Sequence, residues 1–318
     1  MFRILFDHLR HVFTGNKRHA RVPASHFRPI GLPRALIHFL HPGLWESYFR
    51  TLGVPTILSS PTSRRTLERA DLLSEPEHCL PVKILDAHLD ELVGKVDRVF
   101  VPRILSTREG FVSCPKLASL PDAVQAQYGD RFQIVTVDLD ANREPLEREL
   151  AALGKRLGFD RAISEAAARQ GILLATDGIG RRMRSSGTTG LRFLAIGHPY
   201  HMHDEFFTEP VERKLSELGA SLERMAFRHG DADGEPLRWD TCADMLAQLR
   251  NIDARRIAGV IHMTSFNCGC DSMSSIYFRD ALKNLGVPFM ALTLDAHAGL
   301  GGMETRIEAF VDSIGGAW

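Results

Sequence analysis

Five cysteines carry most of the chemistry this 318-residue sequence could do: Cys79, Cys114, Cys242, Cys268 and Cys270. Cys79 closes the segment Glu75-Pro76-Glu77-His78-Cys79 and is followed by Leu80-Pro81, after which Val82, Leu85, Leu89, Leu92 and Val93 form an apolar helical stripe. Pro81 suits the first turn of a helix, where a backbone N–H is not needed. The Cys79 sulfur is therefore expected at the positive end of a helix dipole, a place that favours a thiolate or an anionic group. Cys114 is arranged alike, with Pro115 opening the next helix. Cys268 lies in Phe266-Asn267-Cys268-Gly269-Cys270-Asp271. There Gly269 lets the backbone approach a bulky group, and Asp271 or Ser272 can cap the helix that follows. Cys242 differs: with Met245, Leu246 and Leu249 it makes a stripe on a helix over Asp240–Arg250, the pattern of a buried core thiol.

The spacing does not by itself unite these thiols. Cys114 is 35 positions beyond Cys79, and Cys268 a further 154. There is no Cys-x-x-Cys pair, so zinc-finger spacing does not apply. A Cys-Pro pair presents one ligand of bacterial ferredoxin clusters, although the dipeptide is common. Two readings stand: a shared metal site assembled from distant segments, or three unrelated thiols at helix starts. Cys270 could clamp the same group or be a coincidence. A second ligand-rich stretch is Gly197-His198-Pro199-Tyr200-His201-Met202-His203-Asp204-Glu205. Its imidazoles and carboxylates could bind a metal or move protons, or could lie in an ordinary surface loop. Arg34, Lys83 and Arg103 could offer positive charge to an anionic group or form surface salt bridges of little energetic worth.

The elements that must position these residues alternate. Short β-rich runs at 28–32, 54–58, 97–102 and 132–137 are separated by helical patterns near 34–41, 62–71, 81–94 and 115–128. A helical stretch follows, read as 143–157 and 161–184, the second interrupted by Gly171, Gly178 and Gly180. Strands then resume at 191–197, 221–227, 256–262 and 287–293, with a last helix over 303–314. Alternation of this kind means βαβ units and parallel sheets. The expected fold is α/β, two Rossmann-like lobes of about four parallel strands each, joined by a helical segment. The expected division is 1–27 an amphipathic extension, 28–140 the first lobe, 141–190 a helical linker and 191–318 the second lobe. Within the linker, 185–190 (Ser-Ser-Gly-Thr-Thr-Gly) reads as flexible. Gly31-Leu32-Pro33 and Gly197-His198-Pro199 follow the first strand of each half, and Cys114 and Cys268 follow the third. The two lobes therefore read as a duplication.

Lys plus Arg and Asp plus Glu both number 39, so the zero net charge argues against a nucleic-acid binder and gives no support to electrostatic membrane binding. No apolar run is long enough for an integral membrane segment, and Arg3, Asp7, His8 and Arg10 interrupt the start. Phe2, Leu5, Phe6, Leu9, Val12 and Phe13 there recur at helical spacing, as in a helix packed on its own protein or one that binds a surface or partner. A cytoplasmic protein with reduced cysteines is expected, where thiols in loops point to metal or catalysis. No GxxxxGK[ST] and no GxGxxG after a strand is present, so the chain is not expected to hydrolyse ATP itself.

Blocks along 28–314 resemble the activase-related relatives of 2-hydroxyacyl-CoA dehydratases and benzoyl-CoA reductases. Ile30-Gly31-Leu32-Pro33-Arg34-Ala35-Leu36 and Trp45-Glu46-Ser47-Tyr48-Phe49 look like that family's opening. Glu77-His78-Cys79-Leu80-Pro81-Val82-Lys83 is similar to its Glu-x-Cys-x-Pro-x-Lys, and Val101-Pro102-Arg103 with Cys114-Pro115-Lys116 to its next block. Phe266-Asn267-Cys268-Gly269 and the final Asp295-Ala296-His297 and Glu308-Ala309-Phe310 resemble its last motifs. The resemblance implies a low-potential iron–sulfur cluster, 4Fe–4S or double-cubane, on Cys79, Cys114 and Cys268. It also implies electrons from a separate ATP-dependent activase and a small molecule or acyl-CoA as substrate, or else a non-catalytic accessory or cluster-carrying role. A homodimer or heterodimer is compatible with it. Two positions depart from the family: Cys270 replaces a usual Pro and could close the cluster with a fourth thiolate, and Ala296 replaces a usual Glu, removing that carboxylate's acid–base role.

Overall fold

The computed structural model describes residues 28–181, 190–226, 232, 234–295 and 300–315. The expected extension 1–27, residues 185–189 of the flexible stretch, and Ala296 and His297 lie outside them.

Two parallel four-stranded sheets form the centre of the molecule. The first holds β1 (Ile30–Leu32), β2 (Thr56–Leu58), β3 (Arg98–Phe100) and β5 (Gln133–Val135), in the order β2-β1-β3-β5. The second holds β7 (Leu191–Gly197), β8 (Ala220–Arg224), β9 (Gly259–Ser265) and β10 (Phe289–Leu294), in the order β10-β9-β7-β8. Numbered within each lobe, both orders are 2-1-3-4, the topology a duplication would leave. The chain reverses its winding between the first and third strands, and ligands of such sheets bind outside the strand ends at that point. β4 (Arg103–Ser106) and β6 (Asp138–Asp140) make a small extra parallel pair that continues the first sheet's strand ends and that the alternation pattern did not reveal.

Thirteen α-helices are assigned among the described residues. In the first lobe they are α1 (Ile37–Leu40), α2 (Leu44–Leu52), α3 (Arg64–Leu73), α4 (Leu80–Leu92), α5 (Pro115–Ala118) and α6 (Leu120–Tyr128). Then come α7 (Leu146–Arg156) and α8 (Arg161–Arg181). The second lobe has α9 (Pro199–Met202), α10 (Glu205–Glu217), α11 (Asp240–Arg250), α12 (Gly269–Asn284) and α13 (Leu300–Gly315). Helix α2 was not anticipated; its Trp45 and Phe49 pack on Phe100 of β3, with ring centroids 4.9 and 5.2 Å away.

The stretch read as an interrupted helix is continuous in α8. Gly171 is there for contact: a Cβ would come 3.2 Å from the Leu44 carbonyl oxygen and 3.3 Å from Tyr48 Cβ. Helix α8 packs against α2 and α7, and the Tyr48 hydroxyl donates to the Leu150 carbonyl at 2.8 Å. The middle helices are thus built onto the first lobe. The glycine of each Gly-x-Pro has a steric reason too. A Cβ at Gly31 would meet Val96 Cγ2 at 2.9 Å, and one at Gly197 would meet the Met263 carbonyl oxygen at 2.6 Å.

Polar contacts seal the lobes together. Asp240 at the start of α11 accepts from Thr107 N and Oγ1, each at 2.8 Å, and from Ser113 Oγ at 2.6 Å. Arg108 Nη1 lies 2.8 Å from Asp244 Oδ1, and Thr62 Oγ1 donates to Asp204 Oδ2 at 2.5 Å. Val112 N donates to the Arg238 carbonyl and Asp240 N to the Val112 carbonyl, both at 3.0 Å, a single parallel bridge across the seam.

Candidate metal centre at the seam of two lobes

Cys79, Cys114 and Cys268 are the N-cap residues of α4, α5 and α12. Each is non-helical and precedes a helix whose first N–H groups have no intrahelical partner. Pro81 and Pro115 sit in the opening turns and cost no hydrogen bond there. The main-chain N–H of Val82 points at the Cys79 sulfur, and those of Lys116 and Leu117 at the Cys114 sulfur. Asn267 takes the left-handed conformation, φ 61°, to turn the chain from β9 into Cys268, and its amide reaches the Pro76 carbonyl at 3.4 Å. The two lobes' cysteine loops therefore touch.

The thiols stand within electrostatic reach of one another. Burial, then repulsion from Cys268, pushes the Cys79 thiol up to about 11. Cys114 is held down, chiefly by a hydrogen bond from Cys270, which keeps its own proton; Cys270 in turn feels Cys242 and Cys268. Cys79, Cys268 and Cys270 are buried, Cys114 is partly exposed, and all five cysteines are free thiols. Beside them burial, then Cys268, Asp271, Cys79 and Cys114, keeps the Tyr200 hydroxyl protonated.

A second knot of polar groups lies behind these thiols. His198 Nε2 is 3.0 Å from Asp271 Oδ1, close enough for an ion pair though off the line of a hydrogen bond. Burial opposes charge on His198, but Asp271 overrides it and raises the imidazole well above its ordinary range, with Cys242 and Cys268 in contact as well. Asp271 is held well below the carboxylate range; burial works against its charge, and His198 and His262 outweigh that. Thr264 Oγ1 donates to Asp271 Oδ2 at 2.9 Å, and His262 Nε2 lies 3.8 Å from Oδ1. The donor atoms of His198, Cys242 and Asp271 all fall within 4.8 Å of one another, a set that could hold a metal ion.

Several expectations change on this geometry. Cys242 is buried as expected, but it faces His198 and Ser274 rather than serving as an inert apolar filler. Asp271 does not cap α12, since Cys268 occupies the N-cap; its carboxylate turns into the core. The 197–205 stretch is no surface loop. His201 is buried and pushed down to about 3 by that burial, with Nε2 2.5 Å from Ser265 Oγ, so it stays neutral at ordinary pH. Asp204 caps α10, while Glu205 faces solvent. Arg103 is committed to Asp122, at 2.6 and 2.8 Å, and to Asp138 at 3.1 Å, so it is a clamp for α6 and β6. Lys83 Nζ lies 3.6 Å from Asp71, and the Arg34 main-chain N–H donates to Ser59 Oγ at 2.8 Å. The cation that bears on Cys79 is Lys116, one residue past Pro115.

His198 and Tyr200 line a narrow crevice of about 10 Å³ with Leu36, Ile37, Ser113 and Thr241. That is room for about one water molecule, far below the roughly 300–1,000 Å³ of small-molecule sites. Among the described residues no helix is long and apolar enough to cross a membrane.

Residues 29–224 match the family model described as CoA enzyme activase uncharacterised domain (DUF2229), and residues 193–314 match that of the 2-hydroxyglutaryl-CoA dehydratase D-component. No curated protein matches. Among solved structures, a ZnuA crystal structure is similar at 9% identity and a TM-score of 0.26, covering 91% of this chain and 99% of its own. The C-terminal domain of glucosamine-fructose-6-phosphate aminotransferase from Francisella tularensis aligns at 9% identity and a TM-score of 0.23, covering 95% and 88%. The family models account for nearly all of both lobes, and since the first spans more than half of the sequence, the chain belongs to the CoA enzyme activase uncharacterised domain family.

Proposed function

We propose that this chain is an iron–sulfur protein in which Cys79, Cys114 and Cys268 hold a cluster at the seam, 4Fe–4S in single or double-cubane form. The observation that supports this most is the convergence of thiols from both lobes, each at the start of a helix. The donor set fits such a group. Thiolates are its usual ligands, main-chain N–H groups aimed at Cys79 and Cys114 favour anionic sulfur, and repulsion between thiolates is what a cationic core relieves. When bound, the cluster supplies one-electron transfer at low potential. The chain's own residues would bind it through three sulfurs, limit water through the burial of Cys79 and Cys268, and keep a proton on the Tyr200 hydroxyl beside it. The domain division at 140 and 190 belongs to the same reading, with the seam between lobes as the working site.

In this reading a separate ATP-dependent activase delivers the electrons, in a reducing cytoplasm, for reduction or dehydration of a small molecule or an acyl-CoA. The family names support that class of partner and chemistry. A second reading, an accessory electron carrier without substrate turnover, is favoured by one observation: Cys270 is hydrogen-bonded to Cys114 and stands ready as a fourth thiolate. The test is anoxic mixing of the coloured protein with an activase of this enzyme class and a reductant, followed by visible absorption. ATP-dependent bleaching is expected, and catalysis requires in addition turnover of an acyl-CoA. Bleaching without turnover selects the carrier reading, and no ATP-dependent change overturns both.

A further inference from the structure

Behind the clustered thiols lies a donor set that an iron–sulfur reading does not use. It comes from three loci of the second lobe: His198 after β7, Cys242 in the first turn of α11, and Asp271 in the first turn of α12. The duplicated topology gives these loci meaning. Cys79 starts the helix that precedes the third strand of its sheet, and Cys114 follows that strand; in the second lobe Cys242 and Cys268 hold the corresponding places. Cys242 is therefore the second-lobe counterpart of a candidate ligand.

The atoms themselves point the same way. His198 Nε2, His262 Nε2 and Asp271 Oδ1 are all buried off the line of any hydrogen bond. Asp271 and His262 are completely buried. His198 Nε2 and Asp271 Oδ1 thus face each other in the core without a hydrogen bond, and buried polar groups rarely stay so. Two ligands bound at about 2.0–2.1 Å on a tetrahedral ion stand roughly 3.3 Å apart, so the observed 3.0 Å between His198 and Asp271 needs only a slight opening. His262, fixed by Ser275 Oγ at 2.8 Å from its Nδ1, stands with Nε2 3.8 Å from Asp271 Oδ1, a neighbour that supports that carboxylate from outside the ligand set.

We propose that His198, Cys242 and Asp271 bind a single divalent cation, zinc by preference, next to the four clustered thiols and separate from them. One thiolate, one imidazole and one carboxylate form a borderline donor set that suits zinc and its neighbours rather than magnesium or calcium. Binding releases the Cys242 thiol proton and the Nε2 proton of the His198 imidazolium, and burial implies loading as the lobe folds. The ion ties β7, α11 and α12 together and so fixes Cys268 and Cys270, which flank Asp271 in sequence.

Cobalt reports such a site directly, through its thiolate charge-transfer band. The chain is stripped with a chelator and titrated with Co²⁺ under anoxia. With Cys79, Cys114, Cys268 and Cys270 all replaced by Ser, a single Co²⁺ still binds with a charge-transfer band, and adding Cys242→Ser abolishes the band. Absence of that band in the folded four-serine chain, or its persistence after Cys242→Ser, overturns the proposal. If the four-serine chain does not fold, single substitutions in the stripped, otherwise unmodified chain decide. Cys242→Ser is expected to remove one bound cobalt, and Asp271→Asn to weaken that site at least about tenfold, the loss typical of removing a supporting group. A cobalt count unchanged by Cys242→Ser overturns the proposal there as well. Neither experiment requires an iron–sulfur cluster, so this site stands or falls apart from the cluster reading.

Discussion

Asp240→Asn is expected to loosen the seam without changing its shape. Asp240 is almost fully buried, and its Oδ2 accepts three bonds from the first lobe, Thr107 N and Oγ1 at 2.8 Å and Ser113 Oγ at 2.6 Å. Its Oδ1 accepts Thr241 N at 2.7 Å. An amide has a single acceptor oxygen, so it cannot serve both sides. If that oxygen faces the first lobe, three charge-assisted bonds become neutral, each losing about 1 kcal/mol, and the amide nitrogen then opposes Thr241 N. The loss comes to about 3 kcal/mol. Urea unfolding measures it as a lower midpoint at unchanged slope. Because Ser113 precedes Cys114, the same variant should also retain less iron after anoxic purification. A destabilisation below about 0.5 kcal/mol, the level of an ordinary surface substitution, would refute the reasoning that these bonds hold the lobes together.

Burial holds His88 down at about 4 against an ordinary 6.5, so between those values the unfolded chain takes the proton and the folded chain does not. Its contribution is full above pH 6.5 and is lost as pH falls toward 4, by about 3 kcal/mol; His88→Gln should flatten that part of the stability–pH curve, and an unchanged slope would count against it. Asp86 behaves oppositely, since burial raises its carboxyl to about 6 from 3.8. Its stabilising proton is held below 3.8 and lost as pH rises through 6, so Asp86→Asn should gain on the unmodified chain between pH 4 and 7, read from urea midpoints. Gly197→Ala would push a methyl to 2.6 Å from the Met263 carbonyl oxygen. Overpacking there should cost about 1–3 kcal/mol and displace His198; a neutral thermal melt would show that β7 yields more easily than this packing implies.

Much of the frame was legible because it rests on local signals. Apolar runs such as 191–197 and 97–102 announce strands, and the Cys-x-Pro and Cys-Pro segments announce helix starts with a thiol at the cap. Those signals placed Cys79, Cys114 and Cys268 correctly on their elements. What periodicity cannot convey is the neighbour on the far side. Cys242 sits on an apolar stripe, and burial alone made it look inert, yet the atoms it meets are His198 and Ser274. Asp271 read as a helix cap because helix starts favour Asp; a fully buried carboxylate with two imidazoles around it becomes visible only when β7, β9 and α12 are brought together. Arg103 could have served an anion, and its fate depended on Asp122 and Asp138, residues contributed by two other elements. Gly171 read as a break because glycine weakens helices, whereas here it admits α2 at close range.

A cluster on Cys79, Cys114 and Cys268 shows itself as iron and acid-labile sulfide per chain in protein purified under strict anoxia. Cys79→Ala, Cys114→Ala, Cys268→Ala and Cys270→Ala variants are measured beside it. The expected result is a brown protein whose iron and sulfide are equal, are lost in each of the first three variants, and survive in Cys270→Ala. A colourless, iron-free and well-folded protein, or one whose iron is indifferent to those three substitutions, would contradict it.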